Sequence, residues 1–163
     1  MAQRVYIETT IPSYLTAWPS RDVVRAGHQQ LTRQWWETRR TDFELVVSQL
    51  VLDECGAGDL GAANARLAEL EGVPVLAVTE TVTMLAAALA NDLSLPPKAV
   101  NDALHIAIAA VHGVEYLLTW NCAHIANAAF RDRIEAACAA AGFRAPVIAT
   151  PEQLLKEVSD VGG

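Results

Sequence analysis

The sequence predicts a single α/β domain in which a parallel β-sheet is sandwiched between α-helices. Strand and helix segments alternate throughout the 163 residues. The strand segments are short, continuous apolar runs such as PVLAV at 74–78, and this pattern is typical of parallel strands buried on both faces. Apolar residues make up 52% of the chain, which is enough to form the core of such a domain.

Each strand is predicted where an apolar run ends at a polar or turn residue. VYI ends at Glu8, ELVV ends at Ser48, and YLL ends at Thr119. The predicted strands are residues 4–8, 44–48, 74–78, 116–119 and 147–150.

The ends of the helices are predicted from capping residues, prolines and glycines. Pro12 opens a short helix, Ser48 caps a helix that ends near Cys55, and Pro96 and Pro97 interrupt the chain before a nearly all-apolar helix. The predicted helices are residues 11–17, 22–40, 49–55, 61–71, 80–92, 99–112 and 124–140, with a short final helix beginning at Pro151. We expect one domain over residues 1–158 and a frayed tail at 159–163.

Charge and cysteine content exclude several classes of function. The formal net charge of −7 argues against a broad phosphate-binding surface, so nucleic acid would be bound through a local basic patch or through metal ions held by carboxylates. The three cysteines form no CxxC pair, which argues against a zinc–thiolate site and favours reduced thiols in the cytoplasm. The chain shows neither a signal peptide nor an apolar run long enough to span a membrane.

Four polar residues stand where this topology can bring them to one edge of the sheet. Glu8 ends the first strand, and Glu54 lies on the helix after the second. Asp102 is in the first turn of the apolar helix NDALHIAIAAV, and Asn121 follows YLLTW. Active sites of parallel sheets lie at the carboxyl ends of the strands. Carboxylates gathered there repel one another unless a cation binds among them, and Mg²⁺ or Mn²⁺ is the natural partner of oxygen ligands.

Each of these four residues also has a purely structural interpretation. Glu8 could be an exposed turn residue, and Glu54 could be a solvated helix residue whose neighbour Asp53 competes for the same role. Asp102 could be favoured by the helix dipole, by roughly 0.3–1 kcal/mol. Asn121 could be a turn residue or the cap of the next helix. The functional interpretation therefore depends on all four lying at the same edge.

Neighbouring hydroxyl and imidazole groups could support such a site. Thr9, Thr10 and Thr119 could hydrogen-bond a metal-bound water, although Thr9 and Thr10 could instead cap the short helix and Thr119 could be an ordinary strand end. His105 lies three residues after Asp102, on the same helix face. It could contact the site, but we expect a partly buried histidine whose hydrogen bonds are satisfied in the core.

Three stretches of the sequence together resemble a known family. VYIETTIPSYL has a strand that ends in an acid followed by hydroxyl residues, and SQLVLDE ends in a glutamate. In NDALHIAIAAVHGVEYLLTWNCAHIAN, residues 101–127, an acid opens an apolar helix that leads into a strand and a polar segment. In this order the motifs resemble those of the PIN domain, and more narrowly the VapC-type ribonuclease toxins of bacterial toxin–antitoxin pairs. The resemblance covers nearly the whole chain.

The resemblance implies a three-layer α/β/α fold, a Mg²⁺ (or Mn²⁺) site and endonucleolytic cleavage of RNA. It also implies a cognate antitoxin protein as partner, and a homodimer. By this likeness Glu8, Glu54 and Asp102 would be the metal ligands, and Asn121 would take the place of a fourth acid. The family usually has aspartate at the positions of Glu8 and Asn121. Because Asn121 brings no charge, we expect one well-held ion, and cleavage that is slower or more dependent on Mn²⁺.

The predicted helix at 22–40 carries much of the basic charge. Helical spacing places its arginines on one side, with Trp36 among them, and Val24, Leu31 and Trp35 on another. The basic side is either a solvated face or a surface for RNA phosphates or an acidic partner, with Trp36 available for stacking. We favour the partner surface, because an exposed Trp36 would be costly. This basic surface comprises Arg21, Arg25, Arg33, Trp36 and Arg40.

The sequence leaves two functions open. The first is a metal-dependent ribonuclease of the toxin type, and the second is a PIN-like domain with weakened catalysis that acts by binding RNA or protein. Asn121 keeps the second open, whereas three carboxylates at a partly buried edge favour the first. A phosphatase or a phospho-accepting receiver fits less well, because the first strand is followed by Glu8-Thr9-Thr10 rather than by DxD or paired acids.

Overall fold

The structure, a computed structural model, describes residues 2–155. Within this range it has five strands and seven α-helices, in the alternating order that the sequence predicts. The strands are β1 (Arg4–Ile7), β2 (Glu44–Ser48), β3 (Val75–Leu76), β4 (Tyr116–Leu118) and β5 (Val147–Ala149). The helices are α1 (Thr10–Thr16), α2 (Val23–Thr38), α3 (Gln49–Cys55), α4 (Leu60–Glu69), α5 (Glu80–Asp92), α6 (Val100–Val111) and α7 (Arg131–Ala140). The predicted tail at 159–163 lies outside the described residues.

All five described strands are parallel, in the order β3-β2-β1-β4-β5. β1 is the central strand, and Val5 pairs with Leu45 of β2 on one side and with Tyr116 of β4 on the other. From β1 the chain passes to β2 and then β3 on one side of the sheet, and it then crosses to β4 and β5 on the other side. The carboxyl ends of β1 and β4 therefore form the switch point at which open α/β sheets bind ligands. Glu8 directly follows β1 at this point.

The core confirms the three-layer α/β/α architecture. Val5, Tyr6 and Ile7 of the central strand are fully buried, as expected for a strand covered on both faces. Helix α6 is buried along most of its length and packs against α5. Its many alanines allow the two helices to approach closely. Because α6 is fixed in this way, the side chains of its first turns have a defined place beside the sheet edge.

Helix α2 differs from its predicted apolar stripe. Trp35 is fully buried as expected, but Val24 is 67% exposed. The buried face instead continues through two polar residues, Gln29 and Thr32. Gln29 bonds to the backbone of Ser20 and Trp18, and Thr32 accepts a hydrogen bond from a tryptophan of another segment. Burial of these two residues is possible because their polar groups are satisfied, and this cannot be read from hydrophobic periodicity.

The segment after β4 is less helical than predicted. The expected helix at 124–140 begins only at Arg131, after turns and a 3-10 turn over Ala128–Phe130. The carbonyl of Asn121 accepts from the backbone N–H groups of Ile125 and Ala126, which closes a turn in place of a helix. Asn127 Oδ1 then caps the 3-10 turn. The described part of the predicted final helix, residues 151–155, also forms turns.

Cys55, Cys122 and Cys138 are all unpaired, and of the three only Cys122 is exposed. No helix within residues 2–155 combines the length and apolar character that crossing a membrane requires.

Candidate metal centre

Glu8 is a buried carboxylate at the end of the central strand. Its side chain is 4% exposed, and its backbone N–H continues the sheet by donating to Leu118 O of β4 at 3.1 Å. Oε1 accepts three hydrogen bonds, from the backbone N–H and hydroxyl of Thr10 and, at 2.7 Å, from the hydroxyl of Thr119. Oε2 has no hydrogen-bond partner among the described residues. The protein thus holds one carboxylate oxygen firmly and leaves the other available.

Glu54 approaches Glu8 from helix α3, which Ser48 caps by accepting from Val51 N. Glu54 Oε1 accepts from the hydroxyl of Thr9 at 2.6 Å and lies 2.7 Å from Nε2 of His105. Burial by itself would raise the pKa of Glu54, but the hydrogen bonds from His105 and Thr9 and the charge of His105 outweigh it and lower the pKa. Glu54 is therefore held as a carboxylate, and again only one of its oxygens has a hydrogen-bond partner within residues 2–155.

His105 connects Glu54 to the interior of the sheet. It is 1% exposed, and its Nδ1 lies 2.7 Å from the hydroxyl of Tyr6. That hydroxyl is also 2.7 Å from Ser48 Oγ. Burial, partly offset by the Ser48 bond, raises the pKa of Tyr6 far above its usual value, so the phenol remains protonated. As expected from the sequence, the histidine is satisfied by hydrogen bonds, but one of its partners is a site carboxylate.

These side chains form one compact group with ligand-type atoms. A carboxylate oxygen of Glu8, one of Glu54 and a ring nitrogen of His105 all lie within 4.8 Å of one another. Neither glutamate forms an ion pair with a lysine or arginine in the described part of the chain. Two neighbouring carboxylates in a buried setting repel unless a cation lies between them. The oxygen donors present fit Mg²⁺ or Mn²⁺, which prefer such ligands.

Asp102 and Asn121 lie outside this group. Asp102 Oδ2 is 2.8 Å from Nδ1 of His124, and both side chains are partly exposed. Asn121 Oδ1 accepts from the backbone N–H of His124 at 3.0 Å, and its own N–H donates to Thr119 Oγ1. Asn121 therefore has the turn-capping role that its local sequence allows. It remains next to the site through Thr119, which bonds directly to Glu8.

The family model of the PIN domain matches residues 23–121 of the chain. The chain belongs to the PIN domain family. PIN domains are generally metal-dependent nucleases. The group of Glu8, Glu54 and His105, which could hold a metal ion, agrees with this type of function. The matched segment includes Glu54, Asp102 and Asn121 but begins after Glu8. No curated protein and no solved structure matched the chain.

The three threonines predicted to support the site of this PIN domain all contact its carboxylates. Thr9 donates to Glu54, and Thr119 donates to Glu8. Thr9 stands at the N-cap position of α1 but makes no capping hydrogen bond with its side chain. Thr10 contributes as well, since its hydroxyl donates to Glu8 and accepts from Trp120 N at 2.8 Å.

The predicted basic surface of the PIN domain is only partly as expected. Arg21, Arg25 and Arg33 are exposed, but Trp36 is only 8% exposed. The Arg40 guanidinium covers the Trp36 ring at 4.4 Å from its centroid. Trp36 is therefore unavailable for stacking on a nucleobase, which corrects the expectation that it lies open among the arginines. The exposed tryptophan of this region is Trp18, at 92% exposure.

An aromatic stack flanks the site instead. The rings of Trp120 and His28 stack at 4.0 Å, and Tyr14 stacks beside them. The Arg25 guanidinium lies 5.1 Å from the Tyr14 ring centroid. Trp120 also donates from Nε1 to Thr32 Oγ1 at 2.7 Å. The stack joins α1 and α2 to the end of β4 next to Glu8.

Three residues of the site region have only weak signals, or none, in the sequence. His105 is expected to be a core histidine, although its spacing of three from Asp102 places it on the site-facing side of α6. His124 has the same spacing from Asn121 and pairs with Asp102. Tyr6 gave no signal, because a tyrosine inside an apolar strand is indistinguishable from an ordinary core aromatic residue.

Proposed function

We propose that this PIN domain is a metal-dependent endoribonuclease and the toxin component of a toxin–antitoxin pair. The observation that carries the catalytic part of the proposal is the juxtaposition of Glu8 and Glu54. Both are held as hydrogen-bonded carboxylates, each has one oxygen without a described partner, and no lysine or arginine of residues 2–155 pairs with either. Such an arrangement is unfavourable unless it serves to bind a cation.

In this proposal Glu8, Glu54 and Asp102 hold Mg²⁺ (or Mn²⁺), with Asn121 in the place of a fourth acid. The ion, when bound, lowers the pKa of a water molecule and polarises a phosphodiester oxygen. Thr9, Thr10 and Thr119 keep the two glutamates in fixed rotamers by donating to one oxygen of each. Because the donors are already in place, little reorganisation is needed when the substrate binds.

The remaining basic surface is proposed to bind RNA or the antitoxin. Residues 21–40 contain five arginines and two carboxylates, whereas the chain as a whole has a net charge of −7. This segregation of charge supports a local contact with phosphates or with an acidic protein segment. Exposed Arg21, Arg25 and Arg33 would make that contact. A homodimer and a cytoplasmic location belong to the same proposal, since both follow from the toxin role.

The second candidate function is a PIN domain with weakened catalysis that acts by binding RNA or protein. The observation that favours it is the position of Asn121, whose side-chain oxygen is occupied by the backbone of His124 and adds no charge. The two candidates differ in one respect that can be measured, which is whether the protein hydrolyses RNA when metal is present.

The deciding experiment is cleavage of a mixed RNA pool by the purified protein in Mg²⁺, Mn²⁺ or EDTA. Glu54→Gln and Asp102→Asn should abolish cleavage. Asp53→Asn is the matched control for the first, because Asp53 is exposed, precedes Glu54 directly and bonds only to Gln49 in the described structure. Metal-dependent cleavage by the wild type and by the Asp53 variant supports the ribonuclease. Absence of cleavage by folded, antitoxin-free protein in both metals would favour the binding function.

The partner surface is tested separately with Arg25→Glu and Arg33→Glu, and the control is Arg133→Glu, an exposed residue of α7. Weaker binding of RNA or antitoxin by the first two variants alone supports the assignment. If all three variants bind both partners as the wild type does, the surface has no role in recognition.

A further inference from the structure

A continuous chain of short contacts runs from the buried face of the sheet to the metal-site carboxylate. Ser48 Oγ, Tyr6 Oη, His105 and Glu54 Oε1 are joined by successive distances of 2.7 Å. Ser48, Tyr6 and His105 are all 1% exposed or less. These hydrogen bonds link β2, β1, α6 and α3, and of the four residues only Glu54 reaches solvent.

The donors and acceptors in this chain fix the direction of its hydrogen bonds. Ser48 Oγ accepts from Val51 N, which leaves the serine proton to be donated to Tyr6 Oη. The Tyr6 proton is then donated to Nδ1 of a neutral imidazole, and Nε2–H of His105 is donated to Glu54. The reverse direction would place an Nε2 lone pair 2.7 Å from a carboxylate oxygen, which is repulsive. A charged imidazole also carries a proton on Nε2, so the bond from Nε2–H to Glu54 has the same direction in either state. The Tyr6 hydroxyl donates to Nδ1 only when the imidazole is neutral.

We propose that His105 is a positioning residue for Glu54 rather than a metal ligand, and that the Tyr6 hydroxyl holds His105 in the required orientation. The consequence for metal binding rests on the ribonuclease proposed above. His105 and Thr9 together occupy Glu54 Oε1, so the carboxylate cannot rotate freely and Oε2 is left without a hydrogen-bond partner among the described residues. Keeping the imidazole out of the ligand set leaves oxygen donors, which select Mg²⁺ or Mn²⁺ over metals that prefer nitrogen.

Nitrogen NMR of the metal-free protein tests the direction of the chain without reference to activity. In the ¹⁵N-histidine-labelled full-length protein, His105 should show a protonated Nε2 that keeps its proton when Mg²⁺ is added. Tyr6→Phe should move the Nδ1 resonance toward that of an imine nitrogen without a hydrogen bond. Tyr116→Phe, on the neighbouring strand and partly exposed, should leave it unchanged. An unprotonated Nε2, loss of its proton on binding Mg²⁺, or an Nδ1 shift unaffected by Tyr6→Phe would overturn the proposal.

The affinity for metal distinguishes whether His105 donates a hydrogen bond to Glu54 or itself binds the metal ion. Glutamine at position 105 can place an amide N–H near the position of imidazole Nε2–H, whereas leucine cannot. We expect the Mg²⁺ dissociation constant, measured by calorimetry, to rise by about tenfold or more in His105→Leu but to remain within about threefold of wild type in His105→Gln. Equal large losses in both variants would identify a ligand, and no loss in either would exclude a role in positioning.

Failure of this inference and failure of the proposed function give different results. A protonated Nε2 that responds to Tyr6→Phe, in a protein that binds no Mg²⁺, would keep the hydrogen-bond chain and reject the metal site. Mg²⁺ binding that is equally strong in His105→Leu would keep the metal site and reject the role of His105. Thermal unfolding of each variant establishes that it is folded before either comparison is made.

Discussion

Nε2 of His105 lies 2.7 Å from Oε1 of Glu54, and this contact joins helix α6 to helix α3 at the carboxyl edge of the sheet. Because His105 is fully enclosed while Glu54 is only partly exposed, the core of the protein directly controls the orientation of a site carboxylate. The site is therefore an extension of the core rather than a loop feature. Substitution of a site carboxylate is therefore expected to raise the stability of the metal-free protein and to weaken its binding of metal.

Glu8→Gln should stabilise the metal-free protein and abolish its response to metal. The substitution removes one of two neighbouring negative charges from a buried position and keeps an oxygen that can accept from Thr10 and Thr119. We expect a gain of about 1 kcal/mol, which corresponds to about 3 °C in Tm for a chain of this size. Mg²⁺ should raise the Tm of the wild type but not of the variant.

Calorimetric scans with and without Mg²⁺ measure both effects of Glu8→Gln. Glu44→Gln is the control, since Glu44 is exposed on β2 and distant from the sheet edge that holds the site. A large loss of stability in Glu8→Gln without metal would contradict the view that this carboxylate is retained for binding.

Asn121→Asp should allow a second metal ion to bind. The Asp side chain can still accept from His124 N, as Asn121 does, so the turn should be preserved. The added charge should strengthen binding at a second, weaker position, whereas the wild type should bind one Mn²⁺ per chain. Titration calorimetry gives the stoichiometry. Two equivalent sites in the wild type, or one site in both proteins, would contradict this expectation.

Thr32→Val should destabilise the fold by about 1–3 kcal/mol, because it removes the acceptor of a buried Trp120 Nε1–H. Thr38→Val on the same helix is a close control. Both threonine hydroxyls donate to the carbonyl of the preceding turn at 2.6 Å. Thr38, however, is exposed and accepts no hydrogen bond from a tryptophan of the described residues. Urea unfolding should therefore show a much smaller change for Thr38→Val. Equal changes would mean that the Trp120 bond contributes little.

A single thiol should react in the native protein. Cys55 and Cys138 are buried, and burial raises the pKa of each to about 11, so at neutral pH both remain protonated and inaccessible. Cys122 is exposed. Ellman's reagent should titrate one thiol per chain in buffer and all three in denaturant. Fast reaction of a second thiol in the native protein would show that α3 or α7 opens readily.

Much of the fold could be predicted because its signals are local. Continuous apolar runs identified all five strands, and capping residues such as Ser48 located helix starts to within a residue or two. The predictions that were wrong concern segments in which hydrogen bonds of polar groups, rather than the spacing of apolar residues, decide the local structure. On α2 the polar residues Gln29 and Thr32 are buried whereas Val24 is exposed, and residues 124–130 are not α-helical because Asn121 and Asn127 close turns there.

The sequence by itself determined that carboxylates stand at the carboxyl edge of a parallel sheet, because a strand end and a helix start are fixed by neighbouring residues. Only the tertiary structure decided which groups meet. Asp102 and His105 lie on one face of α6, and the sequence cannot distinguish them. The packing of α6 beside β1 and α3 brings His105 to Glu54 and leaves Asp102 to His124. A difference of one helical turn, set by packing across the core, selects the partner of each carboxylate.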